Sequence, residues 1–307
     1  MALDTAKTTA ILRDITVHFD RQVKSAKPFY PRVSTIAPSK GADEKYSLLG
    51  NMPGMREWLG ERKFEELRAA TFTIANRDWE SSIDVEKNDI EDDRIGMYPN
   101  MARALAQEAV FHPDELLFDE MIANAETKAG FDGQFFYYTD HSWGDSGSQS
   151  NDLAASAVDT ANITAAEFKT SFHAALEAMT KFKNDRGKFL MRPVVTDFKK
   201  LLVVVPPEMR VAATEALKSQ LLGGGDTNIV LDNPTIVSTP HLTSSVKWHL
   251  FNTGGIIKPF IFQARRPLRR GHKGMNDQET KIVKFMTDAR YNMGYGAWWD
   301  AILTTFA

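Results

Sequence analysis

Residues 71–87 read TFTIANRDWESSIDVEK. Phe72 and Ile74 alternate with polar residues, and so do Trp79, Ser81, Ile83 and Val85, with Asn76, Arg77 and Asp78 lying between as a turn. Alternation on both sides of such a turn predicts a β-hairpin with one apolar edge. A two-stranded hairpin is marginal in water by itself. This one therefore needs a surface to lie on, either its own domain or a neighbouring molecule.

Upstream, Pro53–Gly60 (PGMREWLG) predicts a short helix with Pro53 near its first position. Residues 1–45 are rich in Thr, Ser, Lys and Ala, with a short helical pattern through Ile11, Ile15 and Phe19. Pro28, Pro31 and Pro38 then argue against regular structure. The segment reads as a flexible N-terminus or as an extended arm that orders against another subunit. Its start, MALDTAKTTAIL, lacks the apolar core of a secretory signal.

Downstream, Met101, Leu105, Ala109, Leu116, Leu117, Met121 and Ile122 predict helix over 100–128, kinked at His112–Pro113 or restarted there. Residues 130–162 turn from aromatic to small and polar, the composition of a long exposed loop. Thr164-Ala-Ala-Glu167 is a capping box. It opens a helix with Phe168, Phe172, Leu176 and Met179 on one stripe, ended by Asn184, Asp185 and Gly187. Leu201–Val205 reads as a buried strand, and Pro206–Pro207 start a helix that stops at Gly223–Gly225. Strands follow near 235–238, 246–251, 259–264 and 282–290, then an aromatic tail with Tyr291, Tyr295, Trp298, Trp299 and Phe306, which supplies more apolar area than one small domain edge requires. Helices and strands mix without a regular βαβ beat, which favours an α+β fold.

The 307 residues carry 37 Lys+Arg against 40 Asp+Glu, a formal charge of −3, which argues against a chain whose main task is gripping nucleic acid. Hydrophobic residues at 43% supply a real core, in one large domain or two to three smaller ones. The absence of cysteine removes disulfides, thiol catalysis, iron–sulfur clusters and Cys-ligated zinc, and suits a reducing cytoplasm. The most continuous apolar run, Leu201–Val205, is far short of the about 20 residues of a membrane span. No internal repeat stands out.

The seven histidines form no HExxH or similar ligand pair, and no GxSxG elbow is present. His112, His241 and His249, the last two straddling an expected hairpin, read as structural. Asp140–His141 reads as a turn. Gly223-Gly224-Gly225-Asp226 follows a helix, whereas a phosphate cradle opens one. No catalytic, cofactor-binding or metal-ligating residue is assigned. Two charge runs remain. Asp84, Glu86, Asp89, Glu91, Asp92 and Asp93 place six acids in ten positions, and Lys258, Arg265, Arg266, Arg269, Arg270 and Lys273 place six bases in sixteen. A chain of this size without a site points to binding or assembly.

Several segments fall together in order: GNMPGMREWLGER (50–62), the hairpin, VEKNDIEDDRIGMY (85–98), HPDEL (112–116), FDGQFFYYTDH (131–141), KPFIFQ (258–263) and DARYNMGYGAWW (288–299). They resemble the major head subunit of phage Mu and its prophage relatives. The resemblance is good over about 45–145 and 255–300, and between 150 and 250 extends only to the order of elements. It implies the Hong Kong 97-type tailed-phage capsid fold: an N-terminal arm (1–45), an E-loop region (46–88), a P-domain with a spine helix (89–150), an A-domain (151–255), and a return to the P-domain with the C-terminal segment (256–307).

The resemblance also implies self-assembly of identical subunits, as hexamers and pentamers, into an icosahedral shell built in the host bacterial cytoplasm. Packaged DNA would be contacted non-specifically. A separate scaffold, maturation protease and portal are expected, with no cofactor and no membrane. The expected subunit contacts are Phe72, Ile74, Trp79 and Ile83 of the hairpin. Asp89, Glu91, Asp92 and Asp93 are expected to face Arg265, Arg266, Arg269 and Arg270 of a neighbour, because complementary charge fixes register. With no lysine at the expected tip 76–78, no covalent cross-linking is expected. Two rival readings are a nucleic-acid-binding protein using the basic 258–273 stretch and a hydrolase built on Asp140, His141 and the acidic run.

Overall fold

The first helix, α1 (Thr5–Ser25), carries Leu12, Ile15 and Phe19 on one stripe and buries it against α2 (Tyr98–Glu115) at Tyr98, Ala102, Leu105 and Ala106. The computed structural model describes residues 5–49, 69–86, 88–89, 96–190, 198–219, 234–273 and 282–307. The expected helices at Pro53–Gly60 and up to Gly223–Gly225 fall partly or wholly outside them. The N-terminal segment departs from its reading as an arm without a core of its own. Its stripe is covered within the same chain, with Phe19 edge-on to Phe285 at 5.5 Å.

Of the three prolines that follow, Pro28 lies outside regular structure as expected, but Pro31 and Pro38 lie within it. Pro31 sits in a short 3-10 turn, Tyr30–Arg32, and the Phe29 and Tyr30 N–H groups donate to the Asp114 carboxylate at 2.8 and 2.6 Å. Pro38 ends an edge strand, β1 (Ser34–Pro38), where a missing N–H is tolerated.

Three further strands complete the first sheet around β1. These are β4 (Arg77–Glu86), β9 (Phe260–Lys273) and β10 (Ile282–Tyr295), in the order β1-β9-β10-β4. Strands β9 and β10 are longer than expected. The register between them slips on either side of Arg290, leaving extra residues on β9 around Pro267. Bulges there accommodate a proline that cannot join the ladder.

Strands β2 (Asp43–Leu49) and β3 (Ala69–Ala75) form a separate antiparallel ribbon. The hairpin expected from Phe72 to Val85 is thus not formed. Both halves are strands, but β3 pairs with β2 while β4 pairs with β10, and Asn76 is a single-residue crossing between them. One residue is too short to reverse the chain, so it runs on and changes partner. The ribbon's tip falls in 50–68, outside the described residues. That stretch contains Lys63, so the expectation of no cross-linking, based on 76–78, loses its premise.

Helix α2 runs through Pro113 without a break and continues as wider π-helical turns over Leu116–Ile122. The second sheet comprises β5 (Asp152–Ala155), β6 (Leu201–Val205), β7 (Thr235–Ser238), β8 (Lys247–Asn252) and β11 (Ala301–Phe306), in the order β5-β11-β8-β6-β7. Strand β6 is central and buried throughout, as an unbroken apolar run requires. Strands β7 and β8 lie on opposite sides of β6, so the hairpin expected between His241 and His249 is absent. The chain after residue 256 is divided between the sheets, with β9 and β10 in the first and β11 in the second.

Helices α3 (Ala165–Lys181) and α4 (Arg210–Lys218) belong with the second sheet. Helix α3 buries Phe168, Phe172, Ala175 and Met179, and leaves Leu176 half-buried. Its capping box forms as read, with the Glu167 N–H donating to Thr164 Oγ1 and the Thr164 N–H to the Glu167 carboxylate at 2.9 Å. Thr164→Ala is expected to cost about 1 kcal/mol, seen as a lower thermal midpoint of the unassembled chain.

Two further expectations are corrected by packing. Residues 130–162 are no exposed loop, since Phe131, Phe136, Tyr137, His141 and Asn151 are buried. The aromatic tail also holds no surplus for a neighbour. Tyr291, Tyr295, Trp298 and Phe306 are buried in their own chain, with Tyr295 stacked on Phe136 at 4.7 Å.

Candidate functional site

Side chains converge where the β2–β3 ribbon leaves the first sheet. Gln263 of β9, fully buried, donates from Nε2 to Ile74 O at 3.1 Å and to Asn76 Oδ1 at 2.8 Å. Its Oε1 accepts from Tyr46 OH at 2.9 Å. Asn76 Nδ2 donates to Ser39 Oγ and Gly41 O, and Asn292 Nδ2 donates to Ala75 O at 2.7 Å. Glu44 accepts from the Lys40 and Gly41 N–H groups and the Ser39 hydroxyl, which hold its carboxyl below the ordinary range. The base of the ribbon is thus fixed by polar contacts from three segments of the chain. Nothing in the local sequence pattern marked Gln263 or Asn76 for this role, because their partners are distant in sequence.

The apolar residues expected to meet a neighbour have partners inside the chain. Phe72 stacks on Tyr46 at 5.4 Å, and Ile74 is buried beside Gly294, where a Cβ would meet Ile74 Cδ1 at 2.5 Å. Trp79 donates from Nε1 to Tyr291 O at 3.0 Å, and Arg77 lies 4.4 Å over its ring. Ile83 packs half-buried against the cluster joining α1, α2 and β10.

The charge runs separate by face. Beyond Ala264, where β1 stops, β9, β10 and β4 form a three-stranded limb. Register aligns Asp78, Arg290 and Arg266 on one rung, and Glu80, Asp288 and Arg269 on another. Ser82, Met286 and Gly271 form a neutral rung, and Asp84, Lys284 and Lys273 the last. One face of the limb therefore has an acidic row along the edge strand β4 and a basic row along β9. On the innermost rungs the charges pair within the chain: Arg266 meets Asp288 at 2.7 Å and Asp78 at 3.4 Å, and Arg290 meets Asp78 at 3.6 Å. Arg270 points to the opposite face, where it pairs with Asp20 of α1 at 2.7 Å. Arg265 donates to Ser39 O at 3.3 Å, and Asp89 accepts from Tyr98 OH at 2.7 Å. Glu91, Asp92 and Asp93 lie outside the described residues.

Two of the histidines, His141 and His249, are built into the core. His141 is fully buried, donating or accepting through Nδ1 at 2.7 Å from Asp132, and its ring stacks on Trp298 at 3.9 Å. Its acid is Asp132, not the adjacent Asp140. Burial, aided by the Lys247 charge, pushes the His249 imidazole down to about 3, so it is neutral, with Nδ1 3.0 Å from Tyr137 OH. Both rings are sealed from any substrate. Among the described residues no three His, Asp or Glu side chains converge as a metal-holding group, and no described helix is long and apolar enough to cross a membrane.

The model of the Mu-like prophage major head subunit gpT family matches residues 9–166, 159–242 and 243–305. The chain is 31% identical over 165 residues to the Mu-like prophage FluMu major head subunit of Haemophilus influenzae, covering 52% of this chain and 53% of that protein. It is 28% identical over 163 residues to the major capsid protein of Escherichia phage Mu, covering 53% and 52% respectively. The chain thus spans about half the length of the curated relatives it matches. In three dimensions it is similar to a chain of the procapsid of bacteriophage JBD30. The TM-score is 0.57 at 23% identity, over 98% of this chain and 75% of that one.

Proposed function

This chain belongs to the Mu-like prophage major head subunit family and has the Hong Kong 97-type fold of tailed-phage capsid subunits, and we propose that it is the major capsid protein of a phage head. Identical subunits would close into hexamers and pentamers, and these into an icosahedral shell around DNA. The carrying observation is the family match, which runs from residue 9 to residue 305.

Heterologous contacts that close by rotation generate such rings. Permanent interfaces commonly bury about 2,000 Å² or more. The β2–β3 ribbon, whose base is held by Gln263 and Asn76, is the element proposed to add area of that kind. Phe72 at its half-buried surface, with the limb residues Trp79 and Ile83, remain the proposed neighbour contacts on that side. The shell would be a virion component assembled in the bacterial cytoplasm, with scaffold, maturation protease and portal as separate chains and only non-specific contact with DNA. A structural role fits the sealed His141 and His249.

The rival reading as a nucleic-acid-binding protein is disfavoured by Arg266 and Arg270, whose guanidinium groups are taken up by Asp288 and Asp20 of the same chain. Electron microscopy and sedimentation of the expressed protein test the proposal. Closed particles of uniform size are expected. A chain that stays monomeric at every concentration, with or without a co-expressed scaffold, overturns it.

A further inference from the structure

The limb formed by β9, β10 and β4 is polarised more regularly than stability requires. Three of its four rungs carry an acid on β4 and a base on β9: Asp78 and Arg266, Glu80 and Arg269, Asp84 and Lys273. The innermost is satisfied within the chain. On the other two, β10 stands between acid and base, so their strands are about 10 Å apart, near the distance at which physiological salt screens a charge. Among the described residues none of Glu80, Asp84, Arg269 and Lys273 has an ion-pair partner.

Among the described residues both strands are edges here. β4 ends the sheet, and β9 has lost β1 beyond Ala264. Charged side chains on an edge discourage unwanted strand pairing, but charges of one sign would serve that end equally well. Opposite signs in matched register call for another explanation. Glu80 and Asp84 are four residues apart, as are Arg269 and Lys273, so the two rows repeat with one spacing. Both β4 and β9 run antiparallel to β10 and therefore point the same way.

We propose that this limb docks head to tail on a second copy of the chain, with Glu80 and Asp84 of one copy facing Arg269 and Lys273 of the next. A copy displaced sideways and turned by a fixed angle about a common axis brings the two rows together. That is a heterologous contact, the kind that closes into a ring, and complementary rows fix its register. The proposal rests on the capsid reading and names one interface for it. It differs from a general pairing of the two charge runs, because Arg270 faces the other way and Arg266 is already neutralised.

Two double variants test it. Glu80→Lys with Asp84→Lys makes both edges basic, and Arg269→Glu with Lys273→Glu makes both acidic. Each alone is expected to lower particle yield tenfold or more at low salt, with the melting curve of the unassembled chain unchanged. The fourfold variant with both edges reversed is expected to restore yield, and an equal mixture of the two double variants to restore it in part, since a six-membered ring can alternate them and a five-membered ring cannot. Parental yield from either double variant overturns the proposal. So does failure of both mixture and fourfold variant to restore it, or intact assembly with only DNA retention lost. If the parent chain itself builds no shells, the capsid reading fails instead.

Discussion

Replacing Trp298 with alanine is expected to remove about 3–5 kcal/mol of stability, the usual cost of deleting a buried large aromatic. The side chain is 2% exposed. Its ring stacks on His141 at 3.9 Å with an interplanar angle of 5°, and meets Phe182 edge-on at 5.3 Å. Its carbonyl accepts from Asn151 Nδ2 at 3.2 Å. One side chain thus joins the 130–151 segment, the end of α3 and the crossing from β10 to β11. Its loss also uncovers the Asp132–His141 pair, whose buried polar atoms tolerate a poorly ordered cavity badly. Denaturant or thermal unfolding of the unassembled chain measures the effect, with a fall in midpoint of about 10 °C expected. A loss below about 1 kcal/mol would show that the segment collapses onto the gap. Trp299→Ala, at a half-buried neighbour, is expected to cost clearly less.

The same region separates what sequence carries from what it does not. Helix α3 was legible because a capping box and a helical stripe are both local signals, although the stripe's partner, Trp248 of β8, was not. Strand β6 was legible because five consecutive apolar residues have few alternatives to a buried central strand. The alternation in 71–86 correctly gave two strands and their faces, but periodicity names a face and never a partner. The partners of β3 and β4 are set by Asn76 and Gln263, residues 187 positions apart. His141 illustrates the same point, since neighbours in extended chain point opposite ways and its acid comes from nine positions upstream. Both charge runs were visible, yet which arginine faces which side of the limb depends on the bulges flanking Pro267. The family resemblance carried the fold further than the residue pattern did, because it encodes long-range pairings that no local window holds.

Asp300→Asn is expected to stabilise the chain, increasingly so as pH rises. Asp300 ends the crossing from β10 to β11, and its Oδ1 accepts at 2.7 Å from Nδ2 of Asn252, at the end of β8 where the chain leaves for β9. The bond therefore ties together two passages of the chain between its sheets. Oδ2 lies against Gly255, where a Cβ would approach to 2.4 Å, and the stem of Lys200 covers Gly254 in the same turn. Burial raises the Asp300 carboxyl from 3.8 to about 7, against the smaller opposing effect of the Asn252 hydrogen bond. The folded chain then holds a proton that the unfolded chain has released between pH 4 and 7. Stability is lost as pH rises through that window and levels off above it. A displacement of that size corresponds to on the order of 4 kcal/mol at pH 8. Asparagine keeps the shape, accepts the same bond and does not titrate. Parent and variant should agree near pH 4, diverge through neutrality and run parallel above pH 7 in chemical-denaturation curves of the unassembled chain. Curves parallel from pH 4 upward would mean that Asp300 is ionised in the folded chain.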